Sequence, residues 1–260
     1  MTVLLDVSGL TRHFGGVAAV DELSLHVNEH EILGVIGPNG AGKTTAINLI
    51  SGVIRPDRGR VTFAGQDVTR LASHVLAGKG MVRTFQSTTV FTQRTVRENA
   101  MRGAFLRLYA GFFGTLLNGA AARRRREQAE HLVDEVLDWL SLTEVAEKQA
   151  GTLPYGYQKT LGMAIALAAE PRLVMMDEPV AGLSAEEADH VRDTIKRVRD
   201  RGITVIVIDH NMRFMSGLCD RVQVIHQGHQ LAAGTPREVL SDPAVIEAYL
   251  GKRHAAAHHH

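Results

Sequence analysis

Cysteine is nearly absent from this sequence: Cys219 stands alone among 260 residues. A lone cysteine excludes an internal disulfide, suits a reducing compartment and predicts a small buried hydrophobe at that position. Charge of one sign is missing too. The 29 lysines and arginines against 28 acids leave a formal charge of +1, so no global electrostatic footprint points to nucleic acid. No apolar run reaches the length that a membrane-crossing helix requires. The opening Met1 to Asp6 lacks the basic region and long apolar stretch of an export signal. Internal repeats and low-complexity linkers are also lacking. The expectation is a cytoplasmic protein whose membrane role, if it has one, comes through partners. The final residues 255–260, three alanines and three histidines, read as a purification tag and carry no weight as a metal site.

What is present supports one sizeable α/β core, or a core with a smaller lobe, since 45% of the chain is hydrophobic. Val3, Leu5 and Val7 alternate with Leu4, Asp6 and Ser8. A second strand run, 17–27, follows a Gly15-Gly16 turn. Residues 31–36 form a short apolar strand before a glycine-rich loop, Ala46, Ile47 and Ile50 then recur at helical spacing, and 60–68 read as a strand and turn. From about 90 to 170 strand signals give way to helical ones. Leu132, Val133, Val136, Leu137 and Leu140 share one helix face there. Strands return at 173–177 and 203–208, separated by a charged helical stretch over 185–201, and such alternation predicts a parallel sheet with crossover helices.

Residues Gly37 to Thr44 read G-P-N-G-A-G-K-T, matching G-x-x-x-x-G-K-[ST] between a strand and a helix. Glycines let the backbone wrap so that successive N–H groups meet phosphate oxygens, and the helix N-terminus adds its positive end. The predicted nucleotide contacts are Gly37, Pro38, Asn39, Gly40, Ala41, Gly42, Lys43, Thr44 and Thr45. Lys43 reaches the β- and γ-phosphates and the Thr44 hydroxyl coordinates Mg²⁺. The strand Leu173 to Met176 delivers Asp177 and Glu178 at its C-terminal end, where α/β sheets place ligands. Asp177 suits the Mg²⁺ shell, and Glu178 suits orienting or deprotonating the attacking water. The alternative, two acids that merely start a turn, loses ground beside the Lys43 loop.

With these two elements the chain resembles the ABC ATPase family, and further residues carry the resemblance. Gln86 stands where the family has its Q-loop glutamine, which contacts Mg²⁺ and water and meets the transmembrane partner. His210, after the strand 203–208, matches the switch histidine that contacts the γ-phosphate. Phe14 takes the place of the aromatic that stacks on adenine; its alternative is a core phenylalanine. Residues Leu153 to Gln158 correspond to the signature motif, which binds ATP held by the opposite subunit. Here Pro154 replaces the serine, Tyr155 the first glycine and Tyr157 the glutamine, while Leu153 and Gly156 are kept, at the start of a helix running to Ala169. Tyr155 and Gly156 are the expected contacts. Ser184 replaces the D-loop aspartate. The resemblance implies a nucleotide-binding α/β core over 1–89 and 166–251 with an N-terminal antiparallel β subdomain. It also implies an inserted helical signature lobe over 90–165 and a tail over 252–260.

Tyr155 before the retained glycine, the Ala181-Gly182-Leu183 run before a non-acidic residue, and the ending Val245 to Gly251 resemble the ATPases of branched-chain amino acid importers. So does the lengthened lobe with 102–117 and the basic run Arg123 to Arg126, which as a default is a solvated helix face paired with Glu127 and Glu130, the alternative being a place near anionic lipid head groups. Packing within the lobe is likewise the default for Phe105, Leu106, Leu108, Phe112, Phe113 and Leu116. The resemblance implies a dimer closing on two ATP molecules, a second ATPase chain, either identical or different, and two transmembrane permease subunits. It further implies an external substrate-binding protein and a peripheral position on the cytoplasmic face of the inner membrane. Rival readings are the urea-importer and lipopolysaccharide-export ATPases and, from another class, a soluble ABC ATPase acting on nucleic acid or the ribosome. One phosphate loop, a short lobe and near-neutral charge weigh against the last, and no nucleic-acid partner is expected.

Overall fold

Two kinds of apolar pattern sort the strands of this chain, one alternating and one continuous. A computed structural model describes residues 2–84, 90–108 and 119–256. It divides into two units, residues 1–73 with 195–260, and residues 74–194.

In the first unit, β1 (Val3–Phe14) and β2 (Val17–Asn28) form a long antiparallel hairpin joined through Gly15, whose φ of 59° suits the tight turn. Strand β4 (Arg58–Phe63) pairs antiparallel with β1 and with the short β5 (Gln66–Asp67), giving the order β2-β1-β4-β5. The alternation expected at the start of β1 is displaced. Val3 is exposed while both Leu4 and Leu5 are buried, because the register with β2 shifts between Val3 and Leu5. The second sheet of this unit is built on β3 (Ile32–Ile36), buried along its whole length as a strand flanked on both sides must be. It runs parallel to β8 (Thr204–Ile208) and to β9 (Arg221–His226), and β9 turns back through Gln227 and Gly228 into β10 (His229–Gly234). Helices α1 (Lys43–Ile50), α7 (Met212–Leu218), α8 (Pro236–Ser241) and α9 (Pro243–Ala256) complete the unit. Cys219 is buried as expected. A Cβ on Gly34 would come 2.7 Å from its sulfur, and burial pushes its thiol up to about 12.

The second unit carries the parallel pair β6 (Met81–Arg83) and β7 (Leu173–Asp177). Its helices are α2 (Ser73–Gly78), α3 (Val96–Leu108), α4 (Gly119–Trp139) and α5 (Tyr155–Leu167), followed by α6 (Ala185–Asp200). The face predicted for α4 is the buried one, with Val133, Val136 and Leu137 inside and Leu140 just beyond its end. Helix α3 packs on α4 and α5 through small residues, Ala100, Gly103 and Ala104, and a Cβ on Gly103 would lie 1.9 Å from the Ile165 carbonyl oxygen. The default packing assigned to Phe105 does not hold: at the solvent-facing side of α3 it is exposed. Phe112, Phe113 and Leu116 lie outside the described residues, as do the side chains of Leu106 and Leu108. Arg123, Arg124 and Arg126 are exposed, Arg125 is half-buried, and Arg126 pairs with Glu130 at 2.9 Å, as expected for one of the two acids named. Among the described residues no helix is long and apolar enough to cross a membrane.

Candidate active site

The phosphate-loop residues leave the C-terminal end of β3 as a loop shaped by main chain packed on main chain. A Cβ on Gly37 would sit 2.1 Å from the Ile225 carbonyl oxygen, and one on Gly42 would sit 2.3 Å from that of Ala19. Gly42 also has φ of 100°, so only glycine meets both demands there. Ala41 donates its N–H to the Pro38 carbonyl at 3.1 Å and accepts from the Gly228 N–H at 2.9 Å, tying the loop to the β9–β10 turn. Lys43 opens α1 and folds back over the loop, donating to the carbonyls of Gly37 at 2.7 Å and Pro38 at 3.0 Å. Asn39, Gly40 and Thr44 are exposed and Thr45 is half-buried. Helix α1 starts with neither a side-chain cap nor an acid in its first turn. The N-terminal N–H groups of the helix and the lysine therefore present positive charge where an anion can approach.

His210 follows β8, which runs parallel to β3 with Ile208 opposite Val35, so both chain ends emerge on one edge of this sheet. Its side chain is exposed, with Nδ1 3.8 Å from the buried Asp209 carboxylate. Asp209 accepts the Asn211 N–H, and Asn211 caps α7 through the Phe214 N–H, which fixes the backbone around the histidine. Phe14, at the end of β1, is 50% exposed and so is not a core phenylalanine. The Arg12 guanidinium lies 5.1 Å from its ring centroid and is itself bound to Asp57 at 2.8 Å. The His13 N–H, the His13 ring and Arg12 hold the Asp57 carboxyl below the usual carboxylate range.

In the second unit Asp177 ends β7 as a buried carboxylate, and Arg83 at the end of β6 reaches it with an Nη2–Oδ2 distance of 2.8 Å. Glu178 follows in the left-handed region, at φ of 47°. Its carbonyl accepts the Ala181 N–H and the Lys159 ammonium, both at 3.2 Å. Ser184 exchanges hydrogen bonds with Glu187, accepting its N–H at 3.2 Å while the Ser184 N–H donates to the carboxylate at 2.8 Å. The D-loop replacement thus serves as a helix cap for α6. Helix α5 begins at Tyr155 after Pro154, which supplies no side-chain cap; Tyr155 and Tyr157 are exposed and Gly156 is half-buried. Gln86 lies outside the described residues. Sequence reasoning missed Arg83 and Lys159. Lys159 stands four residues after Tyr155 beside buried Thr160 and Leu161, a helical position whose charge was the available signal.

The residues present suit a magnesium nucleotide. In the first unit two glycines have no room for a Cβ, a lysine rests on carbonyls that it can exchange for phosphate, and Thr44 offers a hard oxygen donor; in the second unit, taken by itself, the Asp177 carboxylate is a donor of the same kind. Residues 20–181 match the family model described as ABC transporter, and residues 229–255 match that described as Branched-chain amino acid ATP-binding cassette transporter. The chain is 40% identical to the high-affinity branched-chain amino acid transport ATP-binding protein BraF of Pseudomonas aeruginosa, over 96% of this chain and 98% of BraF. It is 38% identical to LivG of Escherichia coli, another such protein, with the same shares covered. Identity to the lipopolysaccharide export ATP-binding protein LptB of Haemophilus influenzae is 31%, again over 96% of this chain and 98% of that protein. Among solved structures, the ADP conformation of an ATP-binding cassette of an ABC transporter superposes with a TM-score of 0.85 at 30% identity, covering 96% of this chain and all of that one. A nucleotide-free cassette gives 0.83, also at 30% identity, over 95% and 99% of the two chains. A phosphate loop, paired acids at a strand end, a signature helix and kinship along nearly the whole chain converge: this protein belongs to the ATP-binding cassette family of ABC transporters.

Proposed function

We propose that the chain is the ATP-hydrolysing subunit of an importer for branched-chain or related amino acids. The observation that carries the substrate class is the C-terminal segment, because residues 229–255 match a branched-chain amino acid cassette model in a region beyond the general cassette match. Identity supports the same reading, at 40% to BraF against 31% to LptB. The lipopolysaccharide-export and urea-import readings remain the rivals that this segment argues against. Near-neutral charge argues against action on nucleic acid or the ribosome.

In this reading the loop Gly37 to Thr45 cradles the phosphates and Lys43 exchanges the Gly37 and Pro38 carbonyls for phosphate oxygens, a stronger, charge-assisted pairing. Phe14 stacks on adenine. Thr44, Asp177 and Gln86 would hold Mg²⁺, which when bound neutralises charge on the phosphate oxygens. Glu178 accepts a proton from the attacking water and His210 holds the γ-phosphate. Tyr155 and Gly156 serve the nucleotide of a second ATPase chain, identical or different, for which the exposed tyrosine and uncapped α5 terminus are suited. Nucleotide would favour the closed dimer and loss of the γ-phosphate would reopen it.

Two permease subunits would dock near Gln86, beside the lobe over 90–165. Phe91 and Phe105 are exposed there, Arg102 lies 3.6 Å from the Phe91 ring centroid, and these residues line an open cavity of about 910 Å³. The core over 1–89 and 166–251 binds nucleotide, and the assembly sits peripherally on the cytoplasmic face of the membrane below an external binding protein. Affinity purification from detergent-solubilised membranes tests the assignment. Two polytopic subunits and a second ATPase are expected, whereas ribosomes or nucleic-acid proteins in their place would overturn it.

A further inference from the structure

We propose that Lys159 is a positioning residue for Glu178, its buried ammonium fixing the backbone from which the Glu178 side chain leaves. The proposal rests on the reading of Glu178 as the hydrolytic base. Two features of this region are odd. First, Glu178 has φ of 47°, a conformation in which an L-residue crowds its Cβ against its own carbonyl oxygen. Pro179 follows it, and a residue before proline is pushed toward extended conformations, so the left-handed form is disfavoured twice. Such a conformation persists only where its surroundings hold it, and those of this kind cluster at working sites. Second, Lys159 is only 9% exposed, and among the described residues no carboxylate pairs with it. Burying an ammonium is costly, and a methionine would fill the same space at no such cost.

The two oddities meet. Lys159 donates to the Glu178 carbonyl at 3.2 Å, beside the turn bond from Ala181 to the same oxygen. That double grip turns the Glu178 carbonyl toward α5 and fixes the orientation of the Glu178–Pro179 peptide, and so restricts the backbone on either side of the Glu178 Cα. The ammonium also lies 5.5 Å from the Tyr155 ring centroid, one helical turn earlier. The edge of that ring meets Gly182, where φ is 80° and an added Cβ would come within 3.3 Å of it. The first turn of α5 and the loop from Glu178 to Ser184 are thus joined at two points. A displacement of the signature turn, on which the partner's nucleotide is expected to bear, reaches the carboxylate of this chain's own site through one side chain.

The test uses the full chain carrying Lys159→Met, Lys159→Gln or Lys159→Arg, with Glu178→Gln as reference. Steady-state ATP hydrolysis, binding of a fluorescent ATP analogue and thermal unfolding are measured for each. Misplacement of the base lowers kcat about tenfold in Lys159→Met. KM and analogue affinity stay within about twofold, the split that separates positioning from binding. Arginine, a charged donor, retains most of kcat, and glutamine, a neutral donor, falls between. A folded Lys159→Met with wild-type kcat overturns the proposal, as does one that loses analogue affinity in step with kcat. Should Lys159→Met not fold, Lys159→Gln decides: lowered kcat at constant KM supports the proposal and unchanged kcat overturns it. The underlying reading fails separately, since a Glu178→Gln variant with wild-type turnover removes the base whatever the Lys159 variants do.

Discussion

The two units hold their candidate site residues with different materials. Around Gly37 to Thr45, backbone meets backbone: the Gly37 Cα faces the Ile225 carbonyl, that of Gly42 faces the Ala19 carbonyl, and Lys43 rests on two more carbonyls. Around Asp177 and Glu178, side chains do the holding, with Arg83 on one acid, Lys159 on the carbonyl of the next and Glu187 on Ser184. A backbone-built site tolerates no added atom at a few positions and is otherwise indifferent to side chains. A side-chain-built site fails when one distant partner is truncated. The difference predicts where substitutions should hurt and in which observable.

The largest effect belongs to the side-chain half. Glu178→Gln should lower ATP turnover by at least about 100-fold, as loss of a general base does, while nucleotide affinity stays nearly unchanged. Turnover near wild type would take Glu178 out of its role. Next in size, Arg83→Met strands a buried carboxylate and should cost about 3–5 kcal/mol in urea unfolding. A cost below 1 kcal/mol would show that the pair is not what holds β6 against β7. In the backbone half, Gly37→Ala drives a Cβ into a main-chain oxygen and should cost about 3 kcal/mol together with nucleotide binding. Gly40→Ala meets nothing within 4 Å and carries only the penalty of its φ of 77°, about 1–2 kcal/mol. Equal losses from the two alanines would break the distinction between packing and conformation. The smallest effect is Ser184→Ala, which removes a helix cap worth about 1 kcal/mol and should leave KM for ATP in place.

The same contrast explains what could be read from the amino acids alone. The phosphate loop was legible because close backbone approach admits only glycine, so the constraint is written at fixed spacing within eight residues. The fully buried strands β3, β7 and β8 announced themselves as continuous apolar runs for a comparable reason. Arg83 was illegible because its meaning lies in Asp177, 94 positions later, and an arginine before a loop has many uses. Lys159 looked like an ordinary helical lysine, because its partner is a main-chain carbonyl 19 positions later that leaves no mark in the sequence. The hairpin β9–β10 escaped notice because Arg221, Gln223 and His226 dilute its apolar pattern, although Gln223 is buried through bonds to the Ser24 carbonyl and Gln230. At β1 the alternation was read correctly from Leu5 onward, with Leu5 and Val7 inside and Asp6 and Ser8 out, and fails only at Val3 and Leu4, where the register with β2 shifts.

The decisive experiment is uptake of radiolabelled leucine, isoleucine and valine in the native host after in-frame deletion of this gene. Uptake should fall to background, be restored by the wild-type chain and not be restored by Glu178→Gln expressed at the same level. Undiminished uptake in a deletion strain that has no second copy, with the purified chain still hydrolysing ATP, would contradict the importer reading and leave a cassette in search of another cargo.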